Sequence, residues 1–455
     1  MEPTDDRFNM VYASLCPGRL HAYWTALVVS TSLVAATACR SRNTPGQNPD
    51  QKPSASHPAD AATRVRTNPR PSHSAQAQSS VPAPVSSPIR ARFDADAGST
   101  TATDEFQLGP SAPAAVGSFG VVIVSGDDDL MVSGFQNGRI EAFPGTIKPS
   151  NAPWPSVAEG TPSRVYWISR GRLVRRKVSS DGIVGALEVL ANDAADYTHL
   201  AVARGETTQG PDVVAYIGRT VSKELERSAR VWIEGKGARA LSPDGAGATS
   251  VYAVALGAGK FALLSVDGRL SLSPIHARFL EIAPDGAPSL AEDHVVYVAG
   301  PAENTVELSG IRVGSATVAF APISRDTSAF GLLSLLITPA EGEAPSAWLM
   351  YPNGVTPAPV ESTDLCGKPT VAWVQPEDET PGAKKTLLIG TVNEQGVVSD
   401  PLPLASGDKI RHIAFASIRQ VEQPPLKGGK PRPKLGALIA YGADNVLKAR
   451  AVACR

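Results

Sequence analysis

The stretch Tyr166-Trp-Ile-Ser-Arg-Gly-Arg-Leu-Val174 decides the fold. A short apolar run meets a polar pair that contains glycine, and a second short run resumes at once. Glycine at such a place supplies the positive φ that a tight hairpin needs. The unit is therefore strand, short turn, strand. It returns as Phe261-Ala-Leu-Leu-Ser-Val-Asp-Gly-Arg-Leu270 and as Leu438-Ile-Ala-Tyr-Gly-Ala-Asp-Asn-Val-Leu447. Further short β-rich runs occupy 120–124, 164–168, 212–217, 250–255, 294–298, 370–374 and 436–441, each bounded by turn residues. Turn signals stand at Gln136-Asn137-Gly138-Arg139, Ser180-Asp181-Gly182, Val266-Asp267-Gly268-Arg269 and Glu394-Gln395-Gly396.

Glycine and proline are frequent, at 40 and 39 of 455 residues, and no long 3.6-period run accompanies them. The apolar strand starts are spaced irregularly around 40 to 50 residues, the scale on which four-stranded propeller blades repeat. The fold class is all-β. The expected architecture is a β-propeller of about seven blades over 116–455, with β-sandwich domains as the alternative. No Trp-Asp dipeptide or Asp-box recurs from blade to blade.

The segment before this domain divides in two. An uncharged apolar run from Ala22 ends in Leu33-Val34-Ala35-Ala36-Thr37-Ala38-Cys39. It is shorter and more polar than the roughly 20 apolar residues that span a bilayer, so it reads as an export signal over 1–39. Residues 40–115 form a linker. The part from Asn43 to Ser87 has no aromatic residue, no Leu and no Ile. Such a composition buries too little apolar surface to offset the entropy of ordering it, and a disordered tether is expected.

A cysteine directly after small residues resembles a bacterial lipoprotein signal. That resemblance implies lipidation of Cys39 and, with Arg40 following it, an outer-membrane rather than inner-membrane destination. Position 36 is Ala where that family usually has Leu. Ordinary cleavage after Ala38 without lipid, giving a periplasmic or secreted chain, is the alternative. The leader, the Pro/Ser spacer and the phrase Gly171-Arg-Leu-Val-Arg-Arg-Lys-Val178 followed by Asp181-Gly182 together resemble propeller-like envelope lipoproteins of Gram-negative bacteria. The resemblance implies no activity.

Four cysteines are present. With Cys16 removed and Cys39 lipidated, Cys366 and Cys454 remain, and an oxidising compartment would join them. Two unpaired thiols are the alternative. No metal spacing accompanies them.

Formal net charge is −1, which points to no nucleic-acid partner. Nucleophile-elbow, Walker and dinucleotide motifs are absent, and no catalytic, cofactor or metal residue is assigned. Asp127-Asp128-Asp129 lacks calcium-loop spacing and reads as a solvated turn. Arg170, Arg172, Arg175, Arg176 and Lys177 make a basic hairpin, read as the polar outer face of a blade rather than as a lipid or polysaccharide contact. Lys427 to Lys434 reads as an exposed basic insertion. His199, His276, His294 and His412 lie far apart, with no acid or cysteine at ligand spacing, and His294 reads as a capped or buried structural residue. Trp154, Trp167, Trp232, Trp348 and Trp373 could stack on sugars, but their apolar surroundings favour core packing. The expected function is a binding or scaffolding module of the cell envelope, anchored through lipid at Cys39, with a protein or glycan partner. Convergent acids, histidines or a metal at the central channel would instead favour a polysaccharide lyase or hydrolase, a channel lined by Gly, Ser and aliphatic residues would favour the passive module, and a purely structural envelope protein is the third class.

Overall fold

In the computed structural model the described residues lie between 100 and 454, apart from several stretches, the longest being 419–433. The leader with Cys39, the chain up to residue 99, Asp127-Asp128-Asp129 and residues 427–433 lie outside them. Every regular element among the described residues is a strand, and the strands pair antiparallel into seven sheets. No described helix is long and apolar enough to cross a membrane.

Six sheets are contiguous in sequence, and we number them in chain order. Sheet I is Ala114–Val116, Val121–Ser125, Leu130–Gln136 and Arg139–Ile147; sheet II is Ser156–Ala158, Ser163–Ser169, Arg172–Val178 and Glu188–Ala191. Sheet III is Leu200–Arg204, Asp212–Thr220, Lys223–Ile233 and Gly237–Ala240. Sheet IV is Ala248–Gly257, Lys260–Asp267 and Ile275–Ile282, with Pro288–Leu290 and His294–Tyr297 both pairing the third strand. In sheet V, Asn304–Thr305 and Ser309–Val313 both pair Ala316–Ser324, followed by Phe330–Ile337 and Ser346–Val355. Sheet VI is Glu361–Leu365, Lys368–Pro376, Lys385–Val392 and Val398–Gly407. Sheet VII combines Ile410–Ser417, Lys434–Ala443 and Val446–Cys454 with Thr100–Pro110, the first strand among the described residues.

The first strand of each sheet packs beside the first strand of the next, and that of sheet VII packs against that of sheet I. This closes a propeller-type ring. Its cohesion comes from the spaces between sheets, because seven apolar clusters fill the seven junctions. The second strand of a sheet serves two junctions. In sheet III, Val213, Ala215 and Ile217 face sheet IV, whereas Val214 and Tyr216 face sheet II. The period of two that sends successive side chains to opposite faces thus makes such a strand apolar on both. Trp167, Trp373, Tyr166 and Tyr216 are among the largest fully buried side chains. Burial of one such group contributes roughly 1.5–3 kcal/mol.

The junction of sheets II and III also holds charge. Asp212 accepts hydrogen bonds from the Tyr166 hydroxyl and from Arg164 Nη1, the latter at 2.8 Å. Arg164 and Arg175 both reach Glu234, at 2.6 and 2.7 Å, and Arg175 also reaches Glu188 at 2.5 Å. Its guanidinium lies 5.5 Å from the Trp232 ring centre. The basic hairpin is therefore neutralised in part by acids: Arg175 is buried, Arg176 donates to the Gly185 carbonyl, and Lys177 stands 3.6 Å from Glu188.

Several local expectations are corrected. The strand Thr100–Pro110 falls within 40–115, the range read as linker. It is an outermost strand with one partner, so its composition is polar. Gly182 and Gly396 take positive φ as turns require, but Gly268 does not; its amide donates to the Gly247 carbonyl. His294 opens its strand as expected but is exposed, because that strand lies at the sheet's outer side. Gly138 lies outside the described residues. Trp167, Trp232 and Trp373 are core residues, and Trp348 donates its indole N–H to the Gln395 carbonyl at 3.1 Å. Trp154 has a different surrounding.

Candidate functional site

The seven first strands surround a central cavity of about 500 Å³. Much of its wall is small or aliphatic: Ala201, Ala203, Ala253, Val254, Ala414 and Ala416 come from three of the sheets. Small side chains there let seven backbones converge. Side chains also stitch neighbouring first strands together. The Leu308 amide donates to Ser250 Oγ at 3.0 Å, Ser309 and Ser362 share a 2.8 Å hydroxyl contact, and the Ser417 amide donates to Thr363 Oγ1 at 2.9 Å.

The end of the cavity where these strands begin carries different chemistry. Trp154 precedes the first strand of sheet II, His199 that of sheet III, and Glu307 precedes Ser309–Val313, the cavity-lining strand of sheet V; Glu361 opens the first strand of sheet VI, and His412 sits in that of sheet VII. His199 Nε2 lies 3.0 Å from Glu307 Oε1. The Trp154 and His199 rings stack with centroids 4.3 Å apart and planes tilted by 31°. His412 reaches the wall through an irregularity: the pairing shifts register between Arg411 and Ala414, and His412 has φ of 55°. A bulge of this kind re-aims a side chain at a backbone cost.

The surroundings set opposite charge states on the two glutamates. Burial pushes the Glu361 carboxyl up to about 8, and the negative charge of Glu307 adds to the shift. Burial acts on Glu307 in the same sense, yet His199 outweighs it and holds Glu307 below the ordinary carboxylate range. His412 is pushed down to about 4 by burial, then by the positive charges of Arg411 and His199. Burial also raises the Tyr252 hydroxyl, which Ser309 and Ser362 contact. At neutral pH the mouth thus combines a carboxylate, a protonated carboxyl and a neutral imidazole. Further along the wall, Arg312 Nε donates to the Gly314 carbonyl at 2.8 Å and Asp364 Oδ1 accepts the Gly367 amide at 2.7 Å.

In the sequence His199, His412 and Trp154 stand far apart, and no local pattern marks Glu307 or Glu361. His276 and His294 stay away from the cavity; His276 pairs with Asp293 at 2.8 Å. Cys366 occupies the turn after the first strand of sheet VI with φ of 58°. Among the described residues no group of three or more His, Cys, Asp or Glu stands at metal-holding spacing.

No protein-family model matches the chain, and no curated protein matches its sequence. Solved structures share its general form at low identity. A fucose-specific lectin from Aleuria aurantia is similar at 12% identity over 65% of this chain and 92% of that one, with a TM-score of 0.38. The polysaccharide lyase Uly1 is similar at 8% identity over 78% and 100%, with a TM-score of 0.42. A chain of the mitotic checkpoint complex is similar at 11% identity over 82% and 97%, with a TM-score of 0.44. At these scores the likenesses carry no argument about activity, and the ring rests on the strand pairing.

The charge states have a consequence for stability. Glu361 has a higher pKa folded than its ordinary value, so its contribution is fully present at low pH and is lost as pH rises toward about 8. Glu361→Gln removes this loss. The urea midpoint of Glu361→Gln relative to the wild type should therefore rise between pH 5 and about pH 8 and level off above it. A difference that stays flat over that range would contradict the buried, protonated carboxyl.

Proposed function

We propose that this chain is a binding module that takes a small polar ligand at the mouth of the ring cavity. One observation carries the reading: Trp154, His199, Glu307, Glu361 and His412 converge from five sheets on one end of a cavity. Its volume of about 500 Å³ falls within the range of ~300–1,000 Å³ usual for small-molecule sites. Aliphatic walls below a few placed polar groups are the ordinary make-up of such a pocket. Loops and strand starts on a rigid ring hold these groups in place without an energetic contribution from the ligand.

A catalytic reading has two observations in its favour: acids and histidines converge at the ring's centre, and the two glutamates differ in charge state. Glu307 is ionised while its neighbour Glu361 is protonated, and paired carboxyls in split states serve acid–base work in glycoside cleavage. The two readings separate in one experiment. The purified full-length chain is screened against a library of glycans and small polar metabolites by thermal shift, with each hit examined for cleavage. The binding module gives unaltered ligands whose affinity falls at least about tenfold in His199→Ala and Trp154→Ala, the loss expected for one charge-assisted or aromatic contact. Turnover abolished by Glu361→Gln establishes the enzyme instead. Hits indifferent to both variants contradict the site.

The proposal includes place. Export by the apolar leader, lipid on Cys39 and a Cys366–Cys454 bridge would put the module on the envelope at the end of a tether. Support for the bridge is topological, since Cys366 and Cys454 belong to the neighbouring sheets VI and VII. In the chain-entropy model a loop of this length is stabilised by roughly 4–5 kcal/mol. Grown in a Gram-negative host with labelled fatty acid, the wild type should carry label and Cys39→Ser should not. A non-reducing peptide map should yield one peptide pair joining 366 to 454. An unlabelled chain beginning at Cys39, or two titratable thiols, would reject the respective part.

A further inference from the structure

We propose that the ligand at the cavity mouth carries a protonated primary amine, seated between the carboxyl groups of Glu307 and Glu361 with its carbon skeleton against Trp154; this rests on the binding-module reading and narrows it.

Glu361 lines the cavity and makes no hydrogen bond or ion pair among the described residues. Glu361 is half-buried, so its oxygens face the cavity and are open to a donor carried by a ligand. Glu307 gives Oε1 to His199, while Oε2 makes no hydrogen bond among the described residues. The cationic groups nearby do not supply the need. Arg312 donates to a backbone carbonyl, and His412 is neutral at pH 7. Ser309 and Ser362 face each other. The mouth therefore presents acceptors in excess. An ammonium offers three donors and no acceptor. It is compact enough to sit between two carboxyls, and its attached carbons favour an aromatic ring beside it. A dedicated metal cage is a poorer match, since no group of three or more His, Cys, Asp or Glu is so spaced among the described residues.

The same arrangement couples binding to a proton. The carboxyl of Glu361 stays protonated through burial and through the charge of Glu307. An ammonium offsets that charge, so Glu361 ionises as the amine arrives and its proton leaves to solvent. The other charged or titratable groups in or beside the mouth are His199, Tyr252, Glu307, Arg312, Asp364, Arg411 and His412. His199 is retained in Glu361→Gln, so that variant isolates the contribution of Glu361.

The test is calorimetry of the full-length chain with glucosamine, N-acetylglucosamine and n-butylammonium at pH 7, repeated in buffers of different ionisation heat. Both amines should bind, with the acetylated sugar at least about tenfold weaker, a loss in keeping with one charge-assisted contact. Binding should release close to one proton per amine. In Glu361→Gln the release should vanish and amine affinity should fall about tenfold. The comparison of the two sugars on the wild type keeps the proposal falsifiable if that variant folds poorly. Equal binding of the two sugars, amine binding without proton release, or no amine binding overturns it. A neutral sugar that binds and is lost in His199→Ala would overturn the amine and leave the binding module standing. Amine binding untouched in both His199→Ala and Glu361→Gln would overturn both.

Discussion

Closure of the ring governs everything else in this molecule: sheet VII packs on sheet I through Val116, Ala414, Leu438 and Ala449, and Thr100–Pro110 completes sheet VII. Thr100–Pro110, the first strand among the described residues, pairs there with Val446–Cys454, the last. A ring has no free junction, so each apolar face finds a partner; an open arc of the same sheets would leave two faces in water. The closing strand is fixed by charge as well as by backbone. Glu105 accepts the Tyr441 hydroxyl and lies 2.8 Å from Lys448 Nζ, and these partners hold its carboxyl below the ordinary range against the opposing effect of burial.

The cavity follows from that closure. Once the ring is shut, its first strands converge with their starts at one end, and whatever side chains stand there become neighbours. Alanine and valine along the wall permit close approach, while the strand starts are free to carry polar groups. Glu307 and Glu361 meet because sheets V and VI are adjacent in the ring. His199 reaches Glu307 from sheet III, on the other side of sheet IV. The split charge states arise from this convergence and from burial, and neither exists in the unfolded chain.

That origin explains what was legible in the sequence. Second strands such as Asp212–Thr220 and Lys368–Pro376 serve two junctions, so they read as continuous apolar runs and announce the all-β class. Turns at Gly182 and Gly396 are written in residue type. The first strands of sheets I and II are three residues each, too short to show a period. Thr100–Pro110 reads as linker because an outermost strand with one partner needs few apolar residues. The mouth was hidden for a different reason. Trp154, His199, Glu307, Glu361 and His412 share no local spacing, since only the ring's curvature unites them. A polar residue just before or within each first strand is a weak signal that becomes visible once the sheets are counted.

The central claim is closure, and amide hydrogen exchange on the full-length chain addresses it most directly. If Thr100–Pro110 seals the ring, its amides facing Val446–Cys454 are protected together with that strand and are released in the same cooperative opening. Exchange of Thr100–Pro110 at the rate of an unstructured peptide, while Val446–Cys454 stays protected, would show a ring that does not depend on it and would contradict the account.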